Sequence, residues 1–159
     1  MSTAGSPARS DGRVIVVGVS LTSGSPTALR WAFREASARH APLQAVTAWQ
    51  PPISPPGPVP RPSVFPPLLP AEIQVRTEAA LAQAVEQALG TISAVTCIAV
   101  RGGIAEVLLQ ASGRAQMLVI GPLHPNLTDT LLQRRRFGEL MQRASCPVVI
   151  MPPAEVEAG

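Results

Sequence analysis

The stretch from residue 13 to residue 19, RVIVVGV, constrains the fold of this chain more than any other, because it is apolar on both of its alternating faces. Side chains of a strand point in turn to opposite sides of the sheet, so a strand of this kind must be covered on both sides. Such runs are typical of central strands in parallel sheets that carry helices on each face. The chain is therefore predicted to form a helix–sheet–helix sandwich.

The rest of the chain alternates between strand-like and helix-like segments. Ser25 and Pro26 suit the N-cap and the first position of a helix, and Gly90 suits the end of another. The predicted strands cover residues 13–19, 43–49, 91–100, 117–120 and 147–151, and the predicted helices cover residues 26–40, 71–89, 104–112 and 131–143. This alternation predicts an α/β fold: a doubly wound, five-stranded parallel sheet with helices on both faces, forming one domain over residues 13–152.

Three segments fall outside this pattern. Residues 1–12 and 153–159 are predicted to be flexible tails. Half of the residues in the segment 51–70 are proline, which excludes a helix or a central strand. We interpret it as an extended, partly polyproline II excursion that is tolerated at the surface. A lid over the sheet edge and an SH3-type ligand are the alternative interpretations.

Composition excludes several classes of protein. No apolar run reaches the roughly 18–20 residues that span a bilayer, and the polar N-terminus is unlike a signal peptide, so no membrane association and a cytoplasmic location are expected. All 13 cationic residues are arginine, so a Walker-type phosphate lysine is absent from the sequence. The net charge of +3 is modest, and no nucleic-acid partner is expected.

The two cysteines, Cys97 and Cys146, are predicted to be buried thiols within strands rather than a disulfide or a metal pair. No cluster of His, Cys and Asp has the spacing of metal ligands, and no metal site is expected. If a small-molecule site exists, Gly121 marks it, because ligands of open parallel sheets lie beyond the carboxyl ends of the strands, beside such glycine turns.

Five segments taken together resemble the universal stress protein family: VIVVGV at 14–19, ALRWA at 28–32, VRGGIAEVLLQAS at 100–112, MLVIG at 117–121 and ASCPVVIM at 144–151. The resemblance covers roughly residues 13–152. It implies the strand order 3-2-1-4-5 of a Rossmann-like, adenine nucleotide alpha hydrolase-like fold. It also implies homodimers that form by antiparallel pairing of the last strand, and a role in stress tolerance without a well-defined catalytic activity. Many members of the family bind ATP and others do not.

The resemblance also identifies where ATP would be held. The ATP-binding members share a Gly, two residues, Gly, nine residues, then Gly-Ser or Gly-Thr. Gly121 matches the first glycine, but His124, Arg134 and Arg135 stand at the second glycine, the third glycine and the hydroxyl position, and Ser20 replaces an aspartate. Because side chains take the space that backbone approach to phosphate needs, this mode of ATP binding is expected to be lost. Should a nucleotide bind, the candidate contacts are Ser20, Ala48, Gly121, His124, Arg134 and Arg135.

The arginine run at 134–136 and His124 each have more than one possible role. Arg134, Arg135 and Arg136 could hold an anionic ligand or protein partner, could fill the triphosphate space themselves, or could form a solvated face. Cations at a helix N-terminus oppose the helix dipole by roughly 0.3–1 kcal/mol each, which favours an anionic partner slightly. His124 could serve as a general base, but no nucleophile or oxyanion group accompanies it, and we interpret it as a loop histidine.

The final strand is predicted to be a β-branched edge that pairs with its own copy, with Val148, Val149 and Ile150 at the dimer edge. The sequence thus predicts a non-catalytic stress-response or regulatory protein of the non-ATP-binding branch, with no cofactor. The alternative is an adenine-nucleotide (ATP) binding module that uses a degenerate phosphate loop. A third, weaker interpretation is an ATP hydrolase, for which no catalytic group is found.

Overall fold

The computed structural model describes residues 13–22, 25–52, 68–121 and 130–152. The strands are β1 (Val14–Gly18), β2 (Leu43–Trp49), β3 (Val95–Arg101), β4 (Ala115–Ile120) and β5 (Val148–Ile150). The helices are α1 (Pro26–Arg39), α2 (Pro70–Leu89), α3 (Ile104–Ser112) and α4 (Thr130–Arg143). The strands form one parallel sheet in the order β3-β2-β1-β4-β5, which confirms the predicted fold class and strand order.

The first strand lies at the centre of the sheet, as its two apolar faces predicted. Ile15 and Val17 belong to the apolar cluster that α1 and α2 cover, whereas Val16 belongs to the cluster under α3 and α4. All three side chains are fully buried. The strand register places Gly18 of β1 beside Val46 of β2 and Ile120 of β4. The carboxyl ends of β1, β2 and β4 therefore meet at one edge of the sheet.

The residues at the ends of α1 and α2 explain where these helices begin and end. Helix α2 has Pro70 in its first turn, and the N–H of Leu69 donates a hydrogen bond of 3.1 Å to the carboxylate of Glu72. It ends at Gly90, whose φ of 75° is left-handed, as predicted from the glycine. Helix α1 ends at Arg39 and is capped by His40, which also adopts the left-handed conformation.

Two strands begin more than one residue away from the predicted start. β3 begins at Val95 rather than at residue 91, because residues 91–94 form a turn in which the Ser93 N–H donates to Thr91 Oγ1. β4 begins at Ala115, two residues before the prediction, because Ala115 pairs with Val14. The N-terminal tail, the C-terminal tail and most of the proline-rich segment lie outside the described residues. No helix in the described ranges has the length and apolar character to cross a bilayer.

Candidate functional site

A crevice of about 340 Å³ opens at the carboxyl ends of β1, β2 and β4. This volume is near the lower end of the range for small-molecule sites, roughly 300–1,000 Å³. The turn after β1, the ends of β2 and β4, and one face each of α3 and α4 surround it. The described lining consists of Gly18, Val19, Ser20, Leu21, Thr22, Ser25, Thr47, Ala48, Ile104, Leu108, Ile120, Gly121 and Phe137.

The floor of the crevice depends on a glycine at the end of β1. A Cβ atom at Gly18 would lie 3.2 Å from both terminal methyl carbons of Leu108 and 3.5 Å from Cγ2 of Ile120. These distances are too short for a side chain unless Leu108 moves. Gly18 therefore lets α3 approach the sheet closely, and the fully buried Leu108 forms the bottom of the crevice.

Ser25 connects the two loops that flank the crevice. Its Oγ accepts a hydrogen bond of 3.1 Å from the N–H of Ser20, and it lies 3.3 Å from the position that a Cβ atom at Gly121 would take. Its backbone is left-handed, with φ 43° and ψ 47°, which costs a non-glycine residue about 1–3 kcal/mol. Strain of this kind persists only where the surroundings enforce it.

The prediction that Ser25 is the N-cap residue of α1 is confirmed, but its side chain makes no capping bond. The hydroxyl accepts a hydrogen bond from the Ser20 N–H, outside the helix. The carbonyl of Ser25 still accepts the first helical bond, from the Leu29 N–H at 3.0 Å. The left-handed backbone turns the hydroxyl toward the crevice instead of toward the helix.

Thr47 connects β2 to the end of β1. Its buried hydroxyl donates a hydrogen bond of 2.8 Å to the carbonyl oxygen of Val19, and the N–H of Val19 donates to Val46 O at 2.9 Å. Both polar backbone groups of Val19 are thus used within the protein. This pairing holds the turn after β1 in a defined position above the sheet.

The opposite wall of the crevice is apolar and comes from α3 and α4. Ile104 opens α3, and Phe137 faces the crevice from α4; both are half-buried and pack on the cluster that contains Leu108. The two helices are joined at their far ends, where the hydroxyl of Ser112 accepts a hydrogen bond of 3.2 Å from the Ser145 N–H. The apolar wall is therefore anchored to the core.

The structure brings together three of the candidate contacts predicted from the sequence: Ser20, Ala48 and Gly121 all line the crevice. Arg135 is exposed and is not among the lining residues described. Arg134 and Arg136 belong to α4, and His124 lies outside the described residues. A role for any of these residues in binding a nucleotide stays a prediction.

Several lining residues were not identified from the sequence: Thr47, Ile104, Leu108 and Phe137, together with the role of Ser25. Thr47 carried a signal, because a hydroxyl near the carboxyl end of a buried strand needs a partner within the protein. The helix residues Ile104, Leu108 and Phe137 gave no sequence signal of a role in the crevice, since they have the periodicity of ordinary core positions. Only the packing of α3 and α4 over the strand ends assigns them to the crevice.

The last strand is an edge of the sheet, as predicted. Val148, Val149 and Ile150 pair with Leu118, Val119 and Ile120 of β4 on one side only. Ile150 is 41% exposed, while Val148 and Val149 are half-buried. A dimer seam along β5 stays a prediction.

The two cysteines are half-buried free thiols on opposite faces of the sheet. Cys97 lies in β3 as predicted, but Cys146 lies in the turn before β5 rather than in the strand, which begins only after Pro147. Burial raises the pKa of both thiols, because desolvation disfavours the thiolate. Within the described ranges, no group of three or more His, Cys, Asp or Glu side chains is placed to hold a metal ion.

The family comparison and the structural comparison both point to the same protein family. The model of the universal stress protein family matches residues 12–152. No curated protein matches the chain.

Solved structures similar to this chain show the same fold. A universal stress protein solved in complex with cAMP has 18% identity and a TM-score of 0.58, with 87% of this chain and 95% of that chain covered. A member of the family from Burkholderia pseudomallei has 20% identity and a TM-score of 0.56, covering 88% and 96%. The universal stress protein from Archaeoglobus fulgidus in complex with dAMP has 16% identity and a TM-score of 0.55, covering 88% and 98%.

Proposed function

The chain belongs to the universal stress protein family, and we propose that it is a non-catalytic regulatory protein of the stress response that does not bind ATP in the family's triphosphate mode. Membership of the family supports the role in the stress response. The loss of the triphosphate mode is a proposal about this chain alone. Its support is the sequence of the phosphate loop and the chemistry of the crevice.

The described residues that line the crevice are all uncharged, and this supports the proposal. A triphosphate needs cationic side chains or free backbone N–H groups, because desolvating several negative charges is otherwise very costly. Here the N–H of Ser20 already donates to Ser25 Oγ, and the N–H of Val19 donates to Val46 O. Two backbone donors at the end of β1 are thus engaged by the protein itself.

The observation that carries the proposal is the sequence of the phosphate loop. His124, Arg134 and Arg135 stand where the ATP-binding pattern has glycine, glycine and a hydroxyl residue. The family pattern relies on glycine because the backbone must approach the phosphates closely. The first glycine alone, at Gly121, does not supply that cradle.

A thermal-shift titration with ATP and Mg²⁺ tests the proposal. A ligand that binds only the folded state raises its stability by RT ln(1 + [L]/Kd), so a binder gives a midpoint that climbs steadily with concentration. We expect a flat response up to millimolar ATP. A saturable rise at micromolar ATP would refute the proposal.

A restoration experiment isolates the cause. The triple substitution His124→Gly, Arg134→Gly and Arg135→Ser should produce an ATP-dependent shift if the altered loop is the defect. The single substitution Arg143→Ser, at the other end of α4, serves as the control for losing an arginine. No gain of binding in the triple variant would place the cause at Ser20 and the crevice lining instead.

A second candidate function is the binding of an adenine nucleotide with fewer phosphates. The observation that favours it is that two proteins of the same fold were solved with cAMP and dAMP, both monophosphates. The same titration with AMP and cAMP separates the candidates, because a monophosphate carries less charge than ATP into a crevice whose described lining is uncharged. Stabilisation by AMP or cAMP but not by ATP would favour this second function.

The remaining proposals concern partners and location. We propose a cytoplasmic homodimer that pairs along β5, supported by the exposed strand edge.

An anionic ligand or protein partner at Arg134, Arg135 and Arg136 is supported by the exposure of Arg135 and by the run of three guanidinium groups in the sequence. Binding of an acidic peptide that weakens steeply with salt would support this partner class.

A further inference from the structure

The strand β3 forms the second edge of the sheet, on the side opposite to β5. In the part of the chain that the structure describes, β3 pairs only with β2, along all of its seven residues, Val95–Arg101. The first six of these residues, VTCIAV, include no charge and no proline, and four of them are β-branched. An edge of this composition is a template for pairing with another copy of the same strand.

The direction of the backbone groups shows which residues of β3 such a copy would use. The N–H of Gly102 donates a hydrogen bond of 2.9 Å to Trp49 O, so Gly102 faces β2. Because backbone groups of a strand alternate in direction, residues 98 and 100 also face β2, and residues 97, 99 and 101 face away from it. Ala99 therefore lies in the middle of the outward-facing groups.

A side chain from α2 occupies the edge at this residue. Nε2 of Gln74 donates a hydrogen bond of 2.8 Å to the carbonyl oxygen of Ala99. An incoming strand would place its own N–H nitrogen about 2.9 Å from the same oxygen. The Gln74 amide therefore competes with a second strand for Ala99 O.

Two neighbouring side chains hold the Gln74 amide in place. Its Oε1 accepts a hydrogen bond from Trp49 Nε1, and its Nε2 also donates to Glu78 Oε1 at 2.6 Å. The guanidinium group of Arg101 lies over the Trp49 ring, 5.8 Å from the ring centroid, and this cation–π contact further fixes the indole. Moving Gln74 off the edge would break three hydrogen bonds together.

We infer that β3 is a self-association edge and that Gln74 keeps it closed to a second copy of this chain. The occupant that fits the edge is β3 of another copy in antiparallel pairing, since uncharged β-branched strands complement one another. Closing this edge has a consequence for assembly, because pairing through both β5 and β3 would join copies without limit, whereas pairing through one edge stops at two. The inference is independent of the proposed function, which concerns the crevice.

The substitution Gln74→Ala tests the inference, because it removes the amide and keeps a good helix former in α2. Multi-angle light scattering on the full chain compares the variant with the wild type from micromolar to near-millimolar concentration. We expect the mass of Gln74→Ala to rise with concentration to about twice the wild-type mass or more, since each new pairing adds a further unit. Gln83→Ala is the matched control, an exposed glutamine of the same helix, and should keep the wild-type mass.

Two further measurements locate the association on β3. Amide hydrogen exchange at Cys97, Ala99 and Arg101 should be slower in concentrated than in dilute Gln74→Ala, because these N–H groups face the new partner. The double variant Gln74→Ala with Thr96→Lys adds a charge at an exposed position of the strand. It should return to the wild-type mass, since lysine on an edge strand opposes pairing.

Circular dichroism and reversal of the association on dilution check that the Gln74→Ala chain is folded. Gln74→Met is a second variant, which keeps an unbranched side chain of similar length but lacks the donor, and it should associate in the same way. A wild-type mass for both Gln74 variants, equal association by Gln83→Ala, or unchanged exchange at Cys97, Ala99 and Arg101 would overturn the inference. Association that requires loss of the Gln74 amide and that Thr96→Lys reverses would support it.

Discussion

At the scale of single residues, the close approach of Ser25 to Gly121 predicts that a larger residue at position 121 lowers the stability of the protein. A methyl group in Gly121→Ala would lie 3.3 Å from Ser25 Oγ, so the Ser25 side chain, which accepts the Ser20 N–H, would have to shift by a few tenths of an ångström. We expect Gly121→Ala to lower the free energy of unfolding by about 1–3 kcal/mol, as overpacking does elsewhere. Urea denaturation measures the change.

Gly138→Ala is the matched control for this substitution. A Cβ atom at Gly138 meets nothing within 4 Å, and the residue lies inside α4. Alanine in a helix interior is more stable than glycine by roughly 0.5–1 kcal/mol, so this variant should be stabilised. The same sign of change in both variants would contradict the contact between Ser25 and Gly121.

The two cysteines give a prediction about pH. Burial raises the pKa of Cys97 and Cys146 because the fold favours the neutral thiol. Their contribution to stability is therefore complete below the pKa that these thiols have in the unfolded chain, and it is lost as the pH rises through the raised, folded-state pKa. Alkylation by iodoacetamide at pH 8 should be slower in the native protein than in urea. Equal rates would contradict the raised pKa values.

At the scale of elements, Thr47 holds the end of β2 against the turn after β1. Thr47→Val keeps the shape but removes the donor to Val19 O. We expect a loss of about 1–3 kcal/mol in the free energy of unfolding, because a buried carbonyl loses its side-chain partner. The loss should appear in urea denaturation without a change in the slope of the transition.

Thr77→Val is the control for Thr47→Val. The Thr77 hydroxyl is also buried and donates to Ile73 O within α2, at 2.7 Å. That carbonyl already accepts the helical bond from the N–H four residues later, so it keeps a partner when the hydroxyl is removed. The control should change stability much less, and an equal loss in both variants would argue against a special role for Thr47.

The order of the elements was predictable from the sequence because it depends on local patterns. RVIVVGV is apolar on both faces, and a strand of this kind has few alternatives to the centre of a parallel sheet. The start of β3 was not predictable in the same way, since Thr91 and Ile92 have strand-like character, but Thr91 and Ser93 hydrogen-bond to each other within a turn. A short-range hydrogen bond decided that boundary.

The site was only partly predictable because it is built from residues distant in sequence. Gly121 and Ser20 could be located, since loops after parallel strands meet at one edge of the sheet. Phe137 and Ile104 could not, because a helix residue that lines a crevice has the same pattern as one in the core. The left-handed backbone of Ser25 had no sequence signal either, as serine at this position favours the ordinary helix cap.

At the scale of the whole molecule, β5 determines whether two copies can pair. The N–H of Met151 donates to Ile120 O, and the N–H of Leu118 donates to Pro147 O. Because backbone groups of a strand alternate in direction, residues 147, 149 and 151 bond to β4, and residues 148 and 150 present theirs to the free edge. An antiparallel copy of β5 would use the free-edge groups of Val148 and Ile150.

Ile150→Pro removes one of these free-edge donors and leaves the bonds to β4 in place. Proline is tolerated on an edge strand when its missing N–H faces outward. We expect the wild-type chain to be a dimer by multi-angle light scattering and Ile150→Pro to be a monomer at the same concentration. Ile150→Ala keeps the N–H but loses the exposed side chain, so it should remain at least partly dimeric. A monomeric wild type, or a dimer unaffected by Ile150→Pro, would show that β5 is not the seam.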